Sequence, residues 1–199
     1  MIDLNYNRRY KEVTTISDSD YIYYDNNTQI LQRILYSDFV DAINTSIGLP
    51  KYGSFFSTQI QAPTINTITA ITYNNTDTSA TSGISILDNS KIKVDTTGVY
   101  NIQFSAQIKR TAGGVTKQII IWLRKNGIDV PSTSTHITMQ SNDDYIVSAW
   151  NFYLQLNANE YAELMMWQND AIELIYEVAN TAVPYPIVPS VILTIQKIS

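Results

Sequence analysis

His136 is the one histidine of the chain, and it follows the hydroxyl run Ser132-Thr133-Ser134-Thr135. A serine, a histidine and an aspartate can make an acyl-transfer triad. That needs the serine on a strained strand-to-helix elbow, and no such pattern surrounds these residues. His136 therefore reads as a surface or structural histidine. Glu173 and Glu177 stand four apart in a strand-like stretch and share a face. Paired carboxylates of that kind could hydrolyse a glycosidic bond, but a solvated strand face is the plainer reading. Glu160 and Glu163 are three apart, so a strand would send them to opposite faces. Asp18 with Asp20, and Asp143 with Asp144, could offer oxygens to a calcium ion; aspartates in such polar stretches more commonly shape turns. Gly113-Gly114-Val115-Thr116-Lys117 lacks the spacing of a phosphate loop, and a strand follows it where a helix would be needed. With one histidine and no cysteine, a zinc centre is not expected. The residues thus point to no catalytic residue, no cofactor and no metal.

The elements that would hold these residues are mainly strands. Of 199 residues, 44% are hydrophobic and only 16% charged, with a net charge of -5. Ser, Thr, Asn and Gln make up much of the polar remainder. An acidic surface cannot displace the counterions of a nucleic acid, so no nucleic-acid partner is expected. It is equally unsuited to anionic lipid, and no window approaches the apolar length of a membrane-spanning helix. The start, MIDLNYNRRYKEV, has no apolar core of a signal peptide. The expectation is a product made in the cytoplasm, free to leave the cell by lysis.

Residues 1–50 differ in pattern from residues 51–199. In the first part, Tyr21-Ile22-Tyr23-Tyr24 reads as a short strand, and Gln29 to Tyr36 as a strand or a helical turn. Residues 38–47 read as a short amphipathic helix with Phe39, Val40, Ile43 and Ile47 on one face, stopped by Gly48 and Pro50. So short a helix must dock its apolar face on something. The second part alternates with period two: Tyr100, Ile102, Phe104, Ala106 and Ile108 form one strand face, and Trp150, Phe152, Leu154 and Leu156 another. Further strands are expected at residues 161–167, 172–178 and 191–195, with turn residues between. The fold class is mainly β: an antiparallel β-sandwich of the jelly-roll kind, preceded by a short segment containing one small helix.

The stretch Ile119 to Gly127, IIIWLRKNG, breaks the alternation. Asn126-Gly127 signals a type I′ hairpin, so a strand enters a tight turn there. One face of that strand meets the core, and the other, with Ile120 and Trp122, also needs cover. A second subunit is the simplest cover; a loop of the same chain is the alternative. The 14 tyrosines and three tryptophans suit recognition of sugar or protein. Trp122, Trp150 and Trp167 all fall in expected strands, however, and read as core or interface.

Several stretches resemble a known family. Gly98-Val99-Tyr100-Asn101-Ile102-Gln103-Phe104-Ser105-Ala106-Gln107 resembles a strand of the tumour-necrosis-factor-like jelly roll, the fold of the globular head of the first complement component. Ile121 to Gly127 resembles the strand and turn that follow it, and Tyr153 to Leu164 a later element, with Asn159-Glu160 in place of the usual Gly-Asp. The resemblance spans roughly residues 53–199. It implies a homotrimer, with Ile120, Trp122, Tyr100, Phe104 and Tyr153 at the subunit interface. Ile16 to Tyr21 and Ile34 to Phe39 are similar to segments of bacteriophage fibre and spike proteins near the virion-attached end.

Together these imply a non-enzymatic virion protein, a trimeric head-fibre, decoration or tail-fibre subunit. Phe39, Val40, Ile43 and Ile47 would anchor it to other virion proteins. Loop residues Thr133, Thr135, His136, Asn142 and Asp144 would contact a host-surface glycan or protein. The competing readings are a collar or connector adaptor without a receptor site, and a spike carrying glycan-hydrolase activity. A bacterial surface or spore-coat protein is a further reading, disfavoured by the missing export signal and collagen-like repeats.

Overall fold

The computed structural model describes residues 17, 19–25, 31–48, 50–112, 116–140 and 145–199. Two compact units divide the chain, Met1–Leu49 and Pro50–Ser199. In the first unit, β1 (Tyr21–Asp25) pairs antiparallel with β2 (Leu31–Leu35), and α1 (Tyr36–Ile47) follows directly. Within the stretch left open between strand and helical turn, Leu31–Leu35 is a strand, because β2 finds its hydrogen-bond partner in β1, and Tyr36 opens the helix. The helix starts two residues earlier than expected. Gly48 stops it at φ 76°, a left-handed conformation that glycine adopts without a Cβ clash.

The second unit is the sandwich. Its strands are β3 (Tyr52–Ser57), β4 (Thr69–Ala70), β5 (Asn75–Thr76), β6 (Ile84–Leu87), β7 (Lys91–Val94), β8 (Gly98–Arg110) and β9 (Lys117–Lys125). There follow β10 (Ile128–Asp129), β11 (Thr135–Met139), β12 (Tyr145–Leu156), β13 (Tyr161–Gln168), β14 (Ile172–Leu174) and β15 (Val191–Lys197). One sheet has the order β12-β8-β15-β3-β5, with β14 also on β8; the other runs β10-β9-β13-β7-β6, with β11 on β9 and β4 on β13. The long strands alternate between the sheets as the chain proceeds, which is jelly-roll connectivity.

Period-two patterning puts the core between the sheets. Tyr100, Ile102, Phe104, Ala106 and Ile108 of β8 are buried, level with Leu193 and Ile195 of β15 in the ladder. Ile119, Ile121 and Leu123 of β9 face them from the second sheet, beside Leu164 and Met166 of β13. Two buried glutamines act as pieces of strand. Gln61 Nε2 donates to Thr72 O at 2.9 Å while Thr72 N donates to Gln61 Oε1 at 2.9 Å. Gln168 Nε2 donates to Pro63 O at 2.6 Å and its Oε1 accepts from Ile172 N at 2.9 Å. Each side-chain amide satisfies backbone groups that the irregular segment beside it would otherwise bury unpaired.

Two turns form for the reason the residue types suggest. Asn126 and Gly127 take φ 48° and 81°, the signs a type I′ hairpin requires, between β9 and β10. At the turn before β13, Asn159 takes φ 70°. Asparagine tolerates that region, and Glu160 closes the turn by accepting from Asn157 N at 2.7 Å. That backbone hydrogen bond, and then the Lys125 ammonium at 2.7 Å, hold the Glu160 carboxyl below the usual carboxylate range.

Candidate functional site

Two surfaces of the sandwich carry features beyond packing. The first is β12, which pairs with β8 alone and so forms a sheet edge among the described residues. Its twelve residues, YIVSAWNFYLQL, include no charge and no proline. Long edge strands usually carry such residues to discourage pairing. On the outward face, Tyr153 is 67% exposed and Val147 59%, with Tyr145 also exposed. On the inward face, Trp150 is 40% exposed even though its ring stacks on Phe104 at 6.3 Å. Phe152 stacks on the same ring at 6.3 Å and is only partly buried. β12 has a partner on one side alone among the described residues, and its side chains stay open to water along the other.

The expected interface residues divide on this geometry. Tyr153 lies on the exposed edge. Tyr100 and Phe104 do not: both point between the sheets and are buried within the chain's own core. Burial raises the Tyr100 phenol to about 12, with a smaller push from Asp95, and its hydroxyl donates to Thr96 O at 2.6 Å. A side chain without surface has nothing to offer a neighbour. Trp122 is likewise already covered, at 8% exposure, and Ile120 is half-buried. The cover is a loop of the same chain, the alternative reading of that strand. Trp150, read as core or interface, is 40% exposed in the single chain, with its ring against Phe104.

The second surface is that covering loop and the groove it makes. Residues 129–134 run along the edge of β9: Asp129 pairs with Arg124, and Val130 N donates to Leu123 O at 2.9 Å. Trp122 Nε1 donates to Asp129 Oδ1 at 2.8 Å, and Arg124 Nε donates to the same oxygen at 2.8 Å. The Arg124 hydrogen bond, then that of Trp122, lowers the Asp129 carboxyl below its ordinary value. Thr133 Oγ1 donates to Val130 O at 2.8 Å and accepts from Leu123 N at 3.1 Å, locking the loop to β9. Ser132 is held at φ 63°, an uncommon region for a residue with a Cβ. The result is an open groove of about 410 Å³. Its floor is Ile120 and Trp122, and its rim Asp129, Pro131, Ser132 and Ser134.

The expected receptor residues fall unevenly here. Thr133 is spent on holding the loop. Thr135 and His136 lie in β11, a strand where a polar loop was expected; Thr135 is half-buried, and His136 is exposed opposite Ile120. Asn142 and Asp144 lie outside the described residues, as do Asp18, Asp143 and the Gly113-Gly114 stretch. Asp20 accepts from Ser17 N at 2.7 Å, the turn role. Among the described residues no cluster of acidic, histidine or cysteine side chains could hold a metal ion. Glu173 and Glu177 do not share a strand, because β14 ends at Leu174; Glu177 accepts from Tyr185 Oη at 3.4 Å across the 175–190 excursion. In the first unit, Phe39 and Ile43 are exposed and Val40 half-buried, while the side chain of Ile47 lies outside the described residues.

Sequence reasoning missed the exposure of Trp150 and Val147 and the whole Asp129–Ser132 rim. A signal for the first was present, as twelve consecutive uncharged residues with no breaker. No local signal marked the second, since Asp129 meets Trp122 only after the hairpin closes.

No protein-family model matches this chain, and no curated protein sequence matches it. Among solved structures, the globular domain of zebrafish complement 1qA protein is similar, with a TM-score of 0.49 and 12% identity over 76% of this chain and 98% of that one. The jelly-roll architecture itself stands on the strand order and register described above.

Proposed function

We propose that this chain is a non-enzymatic structural subunit of a bacteriophage virion that assembles as a homotrimer. In this reading the first unit joins other virion proteins through the Phe39 and Ile43 face of α1. The sandwich projects outward and touches host-surface glycan or protein. The observation that carries the assembly is the uncharged edge strand β12, with Trp150, Val147 and Tyr153 exposed along it. Burying one such aromatic side chain is worth about 1.5–3 kcal/mol, so a copy seated on this edge gains stability the single chain forgoes. The virion setting draws on the resemblance of the N-terminal segments to fibre and spike proteins. Three weak surface contacts on one rigid trimer would give avidity without a deep pocket.

Light scattering on the purified full chain tests the assembly. The expected mass is three times that of the 22.5 kDa chain. A double variant, Val147→Lys with Tyr153→Lys, should run as a monomer. A monomeric parent sinks the trimer, and a trimeric double variant moves the interface away from β12. Antibody labelling of particles from a lysed host culture tests the setting: label confined to the bacterial surface or cytosol rules the virion reading out.

A further inference from the structure

The groove beside Trp122 has a polarity that the covering role of its loop does not require. Val130 and Pro131 line it beside Trp122 as apolar neighbours. Yet the rim also places a carboxylate and two serine hydroxyls around one opening. Both donors to Asp129 reach Oδ1, so among the described residues Oδ2 has no donor and remains an open acceptor. Arg124 neutralises the carboxylate, so the groove has hydrogen-bonding capacity without net charge. Its volume of about 410 Å³ lies toward the small end of ligand sites, ~300–1,000 Å³. The loop is locked in place by Thr133, and Ser132 is held at φ 63°, a strained conformation for a residue with a Cβ. A rigid, uncharged opening with an apolar floor and a hydroxyl-and-carboxylate rim matches a sugar ring. The ring presents C–H groups on one face and hydroxyls at its edge. A charged ligand would find no counter-charge here, and an apolar peptide would leave the rim unpaired.

We propose that this groove is a carbohydrate subsite that takes a hexose unit of a neutral glycan, with half-buried Ile120 under the ring, the covered Trp122 beside it, and Asp129 Oδ2, Ser132 and Ser134 bonding its hydroxyls. The biological use of the subsite rests on the surface-attachment reading above; its chemistry does not. The groove lies on the sheet that does not contain β12.

The test is saturation-transfer NMR on the full chain with the methyl glycosides of glucose, galactose, mannose and N-acetylglucosamine, with N-acetyl-leucinamide alongside as a peptide-like probe. Transfer to at least one glycoside is expected, with a change in tryptophan fluorescence that saturates in the millimolar range. Asp129→Asn should weaken it about tenfold, as for one charge-assisted hydrogen bond. Ser134→Arg, at an exposed position where the fold tolerates change, should abolish it while near-ultraviolet dichroism stays unchanged. No transfer from any glycoside overturns the proposal, as does equal binding by Ser134→Arg. Tighter binding of N-acetyl-leucinamide than of every sugar also overturns it, in favour of a peptide groove. Adhesion to intact host cells separates the two readings. Sugar binding without adhesion sinks attachment and leaves the subsite. Adhesion that survives Ser134→Arg, without sugar binding, sinks the subsite alone.

Discussion

The indole N–H of Trp122 donates to Asp129 Oδ1 at 2.8 Å, tying the middle of β9 to the end of the hairpin that follows it. This bond explains how a strand with apolar residues on both faces stays covered in a single chain. Replacing Asp129 with Ala leaves the indole and Arg124 without their acceptor. The midpoint is expected to fall, and only modestly, because water screens the exposed carboxylate. Thermal unfolding by circular dichroism measures it. An unchanged midpoint would mean that Val130 and Pro131 hold the loop without the bond.

The same carboxylate sets an acid response. Its affinity for protons is lower in the folded chain than in the unfolded one, because Arg124 and then Trp122 stabilise the charged form. It therefore favours the folded loop above the ordinary aspartate value, ~3.9, and that preference is lost as pH falls through the lowered folded value. Tryptophan fluorescence followed through an acid titration should show a step below ~3.9 that vanishes in Asp129→Asn. A step of equal size in the variant assigns it elsewhere.

Gly127 can be tested apart from packing. A Cβ there would meet only Tyr161 Oη at 3.9 Å, so space is not the constraint; its φ of 81° is. Gly127→Ala should cost about 1–2 kcal/mol from backbone strain alone. Gly127→Asn should recover part of it, since asparagine tolerates the left-handed region. Equal stability of the two variants would argue against the hairpin geometry.

Tyr73 is buried, its hydroxyl has no hydrogen-bond partner among the described residues, and burial pushes its phenol well above the usual range. Removing an unpaired buried hydroxyl should not destabilise. Tyr73→Phe is expected to leave stability unchanged or raise it by up to about 1 kcal/mol in urea denaturation. A clear loss would reveal that the hydroxyl is bonded.

Lys117 lies buried at the start of β9 and pairs with Asp170, which is partly open to water. Asp170→Asn removes the charge partner of a largely desolvated ammonium. A loss of about 1–3 kcal/mol is expected by the same measurement, less than for a fully buried pair because water reaches the aspartate side. No loss would mean that the ammonium finds another acceptor.

The strands were legible because their pattern is local. Tyr100 to Ile108 alternate, and the structure pairs that face with β15 in register. The Asn126-Gly127 turn was legible for the same reason, since the φ signs belong to those two residues. β11 was not: Thr135 to Met139 hold too few apolar residues to announce a strand, and they become one by pairing with the edge of β9. The Ile172 stretch was read too long because alternation continues past Leu174 while the same edge of β8 is taken by β15 from Ala106 onward.

By itself, the sequence determined that two apolar faces had to be buried in a β-sandwich, that the chain would turn at Asn126, and that β9 would need cover on both sides. Those follow from side-chain chemistry and from backbone preferences over a few residues. Only the tertiary structure decided what does the covering. Tyr100 and Phe104 went inward because β8 lies in the middle of its sheet, and Trp122 was closed over by its own hairpin. Trp150 and Tyr153 were left exposed because β12 pairs with β8 alone among the described residues. Exposure is a property of what lies opposite, and which strand lies opposite is set by register and strand length across the whole sheet.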